Sequence, residues 1–122
     1  MKKIYHLSTC STCKRIIKDL EIHNHNFDFQ DIKLNPLTPD QLDSLKSKTG
    51  SYESLFSRKS MKYRPLGLHE MSLTENDYRR YMLEEYSFLK RPVVIIGEQI
   101  FVGNSKKTVE EAKQAIEKMR SK

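Results

Sequence analysis

Short apolar clusters alternate along the chain between the period of a strand and that of a helix. Ile4-Tyr5-His6-Leu7 is short, largely apolar and bounded by Ser8-Thr9, which predicts a buried strand. Cys13, Ile16, Ile17 and Leu20 then follow the i, i+3, i+4, i+7 spacing of one helical face, while Lys14, Arg15, Lys18 and Glu21 take the other. Asn24 and Asn26 mark the exit from that helix. Phe27, Phe29 and Asp31 alternate with Asp28 and Gln30, predicting a second strand with its aromatic face turned inward. Strand, helix and strand in this order suggest a right-handed parallel βαβ unit.

The middle of the chain is helical in pattern. In Leu37-Thr38-Pro39-Asp40-Gln41-Leu42, Thr38 is an N-cap with Gln41 placed for a capping box, Pro39 suits the first helical position, and Leu37 can staple onto Leu42. That helix runs to about Lys48 and Gly50 interrupts it. Tyr52, Leu55 and Phe56 predict a short helical segment leading into the basic stretch Arg58-Lys59-Ser60-Met61-Lys62-Tyr63-Arg64, which Pro65 and Gly67 break. Thr74, with acidic residues after it and Leu73 able to staple onto Tyr78, starts a further helix whose core face is Tyr78, Tyr81 and Met82.

The last third returns to strands. Val93-Val94-Ile95-Ile96 is continuous and β-branched, as expected of a central strand covered on both faces. Gly97-Glu98-Gln99 turns the chain into Ile100-Phe101-Val102, an antiparallel hairpin partner ending at Gly103-Asn104. A final helix has Val109, Ala112, Ile116 and Met119 on one side, Thr108 and Glu111 as a capping box, and Lys118, Arg120 and Lys122 at its C-terminal pole. The sum is an α/β fold with a mixed four-stranded sheet flanked by helices, in which a helical insertion from about 38 to 89 separates a βαβ half from a ββα half.

At 122 residues the chain reads as one domain, since domains run to roughly 100–200 residues. Hydrophobic residues at 37% are enough, in separated clusters, to build a core, so wholesale disorder is excluded. Lys and Arg outnumber Asp and Glu by 22 to 16, a net charge of +6 that favours anionic ligands and acidic protein surfaces. The excess is spread out, with neither a basic amphipathic helix nor an RNA-binding aromatic motif, so direct nucleic-acid binding is not expected. Only Ile4 to Leu7 follow Met1-Lys2-Lys3 before polar residues, too little for the apolar core of a signal peptide. The longest aliphatic run, Val93 to Ile96, falls far short of the roughly 18 residues of a membrane span. A cytoplasmic setting without membrane contact is expected, and there a close pair of cysteines reads as reactive chemistry before cross-linking.

Cys10 and Cys13 form a C-x-x-C in the loop between the first strand and the first helix. A thiol at a helix N-terminus faces unpaired backbone N–H groups and the positive end of the helix dipole, both of which stabilise a thiolate. Lys14 and Arg15 add positive potential, and Ser11, Thr12 and the turn amides make a nest for an oxyanion. Cys13 begins the apolar stripe, so it is either a resolving thiol or a small buried hydrophobe. His23 and His25 fit no usual zinc spacing with this pair, and no metal is expected. They suit a helix C-terminus instead.

The strand and loop from Tyr5-His6 to Cys10, the segment Leu55-Phe56-Ser57-Arg58-Lys59 and the strand entry Leu89-Lys90-Arg91-Pro92-Val93-Val94 together resemble the arsenate reductase (ArsC) family of glutaredoxin-like proteins and its relatives, the Spx redox regulators. The resemblance implies a thioredoxin-like fold with a cis peptide before Pro92. It implies Cys10 as the nucleophile, Arg58 and Arg91 as the groups that hold an oxyanion, and an electrostatic role for His6 near the thiol. It also implies arsenate or another small oxyanion as substrate, no tightly bound cofactor, glutathione as co-substrate, and glutaredoxin or thioredoxin as reductant. Where the reductases carry a third arginine, this chain has Val102-Gly103-Asn104-Ser105-Lys106, with Lys106 or Lys107 as the available cation. That ending and the paired cysteines are closer to the Spx branch, which implies RNA polymerase as an alternative partner and a Cys10–Cys13 switch. A glutathione-dependent disulfide reductase is a further alternative.

Overall fold

A computed structural model describes residues 1–120. The cationic helix end expected at Arg120 and Lys122 lies outside the described side chains. The elements in order are β1 (Lys2–His6), α1 (Ser11–Asp19), β2 (Asp28–Asp31), α2 (Pro39–Thr49), α3 (Glu75–Glu84), β3 (Val93–Ile96), β4 (Gln99–Val102) and α4 (Lys106–Arg120), with 3-10 turns between several of them. They divide into two compact units, one built from Met1–Asn35 and the chain from Arg91 onward, the other from Pro36–Lys90.

The first unit holds the sheet, in the order β2-β1-β3-β4. β1 pairs with β2 in parallel and with β3 antiparallel, and β3 and β4 form the antiparallel hairpin. Pairing aligns Phe29, Ile4, Val94 and Phe101 in one row across all four strands. Because side chains alternate along a strand, this row faces one side, and there it packs with Ile16 and Leu20 of α1 and with Ala112, Ala115 and Ile116 of α4. Ile4 is wholly buried, and every residue of β3 is buried, as its continuous aliphatic run requires. This is the thioredoxin-like sheet expected from the sequence.

Three boundaries differ from expectation. α1 ends at Asp19 with Leu20 as its C-cap, and Glu21, at φ 52, leads into a 3-10 turn over Ile22–Asn24, so the exit precedes Asn24. Asn26 also takes positive φ, but it enters β2 rather than leaving the helix. The α4 cap is Ser105, whose Oγ accepts the Thr108 N–H at 3.1 Å, while Thr108 lies inside the first turn. Thr108 and Glu111 matched the capping-box spacing, but Ser105 sits where the backbone turns into the helix and therefore takes the orphan donor.

In the second unit, α2 and α3 open on capping boxes, Thr38 with Gln41 and Thr74 with Asp77. Each box satisfies N-terminal donors reciprocally. Gly50, at φ 95, closes α2 in the left-handed conformation that glycine adopts without steric penalty. The predicted helix after Tyr52 is only a 3-10 turn, Glu53–Leu55. Phe56 then bridges antiparallel to Leu89, and the Ser57 N–H donates to the Phe88 carbonyl at 2.7 Å. Phe56 and Phe88 are fully buried and stacked, with ring centroids 5.0 Å apart, so aromatic packing holds this segment extended. Tyr78 and Met82 are buried on α3 as expected, whereas Tyr81 is half-buried.

Candidate active site around Cys10

Cys10 is the N-cap of α1, half-buried, with extended backbone at φ −90 and ψ 114. Its N–H donates to the Leu7 carbonyl at 3.0 Å, closing a turn from the end of β1, and its carbonyl accepts the Lys14 N–H at 3.1 Å as the first bond of the helix. The sulfur therefore sits at the end of α1 where amides point outward and the dipole is positive. Burial opposes ionisation of Cys10, but the N–H groups of Cys13 and Thr12, the Cys13 thiol and the charge of Arg91 outweigh it and hold the thiol below its ordinary value. This is the electrostatic pattern of a nucleophilic cysteine.

Cys13 lies one turn into α1, fully buried. Burial pushes its thiol up to about 11, and the charge on Cys10 adds to the shift, while Arg91 works in the other direction. Neither cysteine is in a disulfide, and each shifts the ionisation of the other. The two readings of Cys13 are therefore compatible: it is buried in the core and still bears on Cys10.

Arg91 is half-buried at the entry to β3, and its charge acts on both sulfurs. The Arg91–Pro92 peptide is cis, as the resemblance implies. Pro92 is buried, and its carbonyl accepts the Gly103 N–H at 2.9 Å, which ties the strand entry to the end of the hairpin. Ser11 and Lys14 are exposed and Thr12 is half-buried, all close to Cys10 in sequence. Lys106 and Lys107 are exposed in the first turn of α4.

His6 ends β1 with its ring edge against Phe29, centroids 5.5 Å apart, and His23 stacks on the same ring at 4.8 Å. Burial lowers the His6 pKa, His23 adds to the effect and the Asp31 carboxylate opposes it. At neutral pH His6 is thus the uncharged imidazole and brings no positive charge toward Cys10. Asp31 was expected only as an inward position of β2. In fact its carboxylate accepts the Lys33 N–H at 3.0 Å, and Ser8 holds the carboxyl below its ordinary value. The signal that could have found it is register: in a parallel pair the end of β2 falls beside the end of β1, where the Cys10 loop begins.

Arg58 belongs to the second unit. Its guanidinium donates to Glu53 Oε2 at 2.8 Å and to the Tyr78 hydroxyl at 3.0 Å, and its side chain is half-exposed. Glu53, which sequence reasoning did not single out, is the carboxylate that orients it. No helix among the described residues is long and apolar enough to cross a membrane.

The chain is similar to known proteins along most of its length. The chain is 29% identical over 110 residues to the uncharacterized protein YusI of Bacillus subtilis, covering 88% of this chain and 93% of that protein. It is 24% identical over 102 residues to the global transcriptional regulator Spx 2 of Bacillus cereus, covering 82% and 77%. Its fold superposes on the arsenate reductase from Vibrio cholerae with a TM-score of 0.74 at 20% identity, over 95% of each chain. Residues 5–112 match the profile of the ArsC family, and the chain, with its mixed sheet and a cysteine at the head of α1, belongs to that family.

Proposed function

We propose that the protein is a thiol-dependent oxidoreductase of the arsenate reductase type, working in the cytoplasm with Cys10 as its nucleophile. The observation that carries this reading is the environment of Cys10: a half-buried thiol at a helix N-cap, held ionisable by two backbone N–H groups, the Cys13 thiol and Arg91. In the proposed reaction the Cys10 thiolate attacks the arsenic of arsenate, a hydroxide leaves and takes up a proton as water, and a sulfur–arsenic bond forms. A second thiol then attacks the Cys10 sulfur. The electron pair of the sulfur–arsenic bond passes to arsenic, arsenite departs, and a disulfide remains.

Glutathione is the proposed second thiol, with glutaredoxin resolving the mixed disulfide. Cys13 is the internal candidate, with thioredoxin as reductant. Its proton is held most tightly while Cys10 is charged, and a bond from Cys10 to arsenic removes that charge at the step where Cys13 must ionise. Arg91 is assigned to neutralising the oxyanion, since a guanidinium offers forked donors to a tetrahedral anion. Arg58 is the second arginine of this reading, and an anion would compete there with Glu53. Ser11, Thr12 and Lys14 are assigned to the rim of the anion site, Pro92 to shaping it, and His6 to packing beneath it.

The direct test is arsenate-dependent NADPH consumption by purified protein coupled through glutathione, glutaredoxin and glutathione reductase, and separately through thioredoxin and its reductase. Turnover that disappears in Cys10→Ser is the expected result, and its survival in Cys13→Ser would leave Cys13 a packing role. Absence of turnover with either donor system would sink the arsenate reading.

One observation favours a second reading. Cys13 lies one turn from Cys10 on α1 and bears on its ionisation, and the Spx 2 relative is a transcriptional regulator. On this reading oxidation of the pair alters a surface that binds RNA polymerase. Oxidation-dependent co-purification with the polymerase, lost in Cys10→Ser, tests it.

A further inference from the structure

Arg58 stands beside a carboxylate and a phenol that are themselves fixed. Its backbone is set by the extended pairing of its neighbours: Phe56 bridges Leu89, the Ser57 N–H donates to the Phe88 carbonyl at 2.7 Å, and the Lys90 N–H donates to the Leu55 carbonyl at 2.8 Å. At the tip of the side chain, one terminal nitrogen of the guanidinium donates to Glu53 Oε2 at 2.8 Å and to the Tyr78 hydroxyl at 3.0 Å. That hydroxyl donates in turn to Glu53 Oε2 at 3.4 Å, which closes a triangle of three side chains. Tyr78 is buried on α3, its ring centroid 4.8 Å from that of Phe56.

Glu53 is held from behind. Glu75, the first residue of α3, accepts the Tyr52 N–H at 2.7 Å on one carboxylate oxygen and the Glu53 N–H at 3.1 Å on the other. These two amides open the 3-10 turn Glu53–Leu55, so one carboxylate clamps the turn that presents the other. An exposed ion pair between mobile side chains contributes little and parts easily. Here the backbone of the acid is clamped and its oxygen has two partners, so Glu53 stays beside Arg58. The Arg58 and Glu53 side chains are nonetheless 49% and 55% exposed, so a ligand can reach both.

We infer that Glu53 selects the oxyanion that Arg58 takes: a tetrahedral anion that keeps a proton, as arsenate and phosphate do, is accepted, and one without a proton, such as sulfate, is turned away. This rests on the reading of Arg58 as an oxyanion arginine and adds the residue that sets its specificity. An anion oxygen that accepts from this end of the guanidinium lies next to Glu53 Oε2. At neutral pH arsenate and phosphate retain at least one O–H, which donates to the carboxylate while another oxygen accepts from Arg58. Sulfate has acceptors alone, so the same position sets two negative groups together with no hydrogen bond between them. The charge of Glu53 thus opposes every anion, and only those that can donate recover part of the loss.

The experiment is the rate at which phenylglyoxal modifies Arg58 in the full chain, with the Arg58 and Arg64 peptides resolved by mass spectrometry, under rising phosphate, arsenate or sulfate at constant ionic strength. A bound anion shields the guanidinium, and Arg64, exposed in the same segment, reports any general effect of salt. In the wild type, phosphate and arsenate should slow modification of Arg58 at about tenfold lower concentration than sulfate. Glu53→Gln keeps the size and an oxygen for Arg58 but offers N–H donors, and there sulfate should protect within about threefold of phosphate. Glu53→Ala should lose the preference as well. Thermal melting checks that each variant is folded, and either variant decides alone if the other is not. Equal protection by sulfate and phosphate in the wild type, or a preference that survives removal of the Glu53 charge, overturns the selection. If no anion slows Arg58 more than Arg64 in the wild type, the reading of Arg58 as an oxyanion arginine fails and the selection falls with it.

Discussion

Cys10, half-buried at the N-cap of α1, and Cys13, fully buried one turn further on, ionise in opposite directions from the ordinary thiol value. Their surroundings divide the pair into a thiol that ionises readily and one that resists. Each half of that division can be measured.

Iodoacetamide at neutral pH should modify Cys10 and leave Cys13 intact in the folded protein, because only Cys10 has its thiol held below the ordinary value. Arg91→Met removes a positive charge that favours the Cys10 thiolate, so the alkylation midpoint of Cys10 should move to higher pH. Arg91→Lys should restore part of the difference. A midpoint unmoved by Arg91→Met would remove Arg91 from the site.

Cys13 predicts an alkaline loss of stability. Its folded-state value is raised from 9.0 to about 11, so its contribution to stability is fully present below 9.0 and is lost as pH rises toward about 11. Cys10, shifted the other way, contributes with the opposite sign and so does not add to this loss. Urea denaturation across this window should show a shallower decline for Cys13→Ala than for the wild type, even if the variant is less stable at neutral pH.

At acid pH the telling group is Asp43 on α2. Arg79 on α3 donates to it from Nε at 2.8 Å and from its terminal nitrogen at 3.2 Å, and Tyr52 donates at 2.5 Å. The Arg79 hydrogen bond, then that of Tyr52, hold the carboxyl at about 2, below its ordinary 3.8. The stability this provides is present above 3.8 and lost as pH falls toward about 2. Thermal melts should therefore show a smaller acid-induced drop for Asp43→Asn than for the wild type through that range, and an identical drop would discount the cluster.

The start of α4 gives a local test. Ser105→Ala removes the side chain that caps the Thr108 N–H and should cost about 1 kcal/mol, whereas Thr108→Ala should cost less because Thr108 is already inside the helix. Chemical denaturation of the two variants side by side decides the order, and the reverse order would restore Thr108 as the cap.

Signals confined to a few neighbouring residues were legible in the chain. Thr38 with Gln41, Gly50 and the stripe Cys13–Ile16–Leu20 each act within one or two turns, and the structure keeps each of them. The order of strands and helices, the reactive placement of Cys10 and the resemblance to the ArsC family also came from the sequence, because they depend on local pattern and motif. Where two local signals competed, at Ser105 and Thr108, spacing alone chose the wrong one. The short stretch after Tyr52 looked helical until Phe56 stacked on Phe88, a residue distant in sequence, and became extended instead.

The sequence by itself determined the order of elements and the place of Cys10 at the head of α1; the tertiary structure decided what surrounds them. That Arg91 acts on Cys10, that Tyr78 holds Arg58 and that His6 lies against Phe29 all follow from pairings between distant segments. Periodicity shows which face of an element is apolar, but only strand register and packing fix which residues meet across it. The strength of a charge or a hydrogen bond depends on those distances and on burial, and neither exists before the chain has folded.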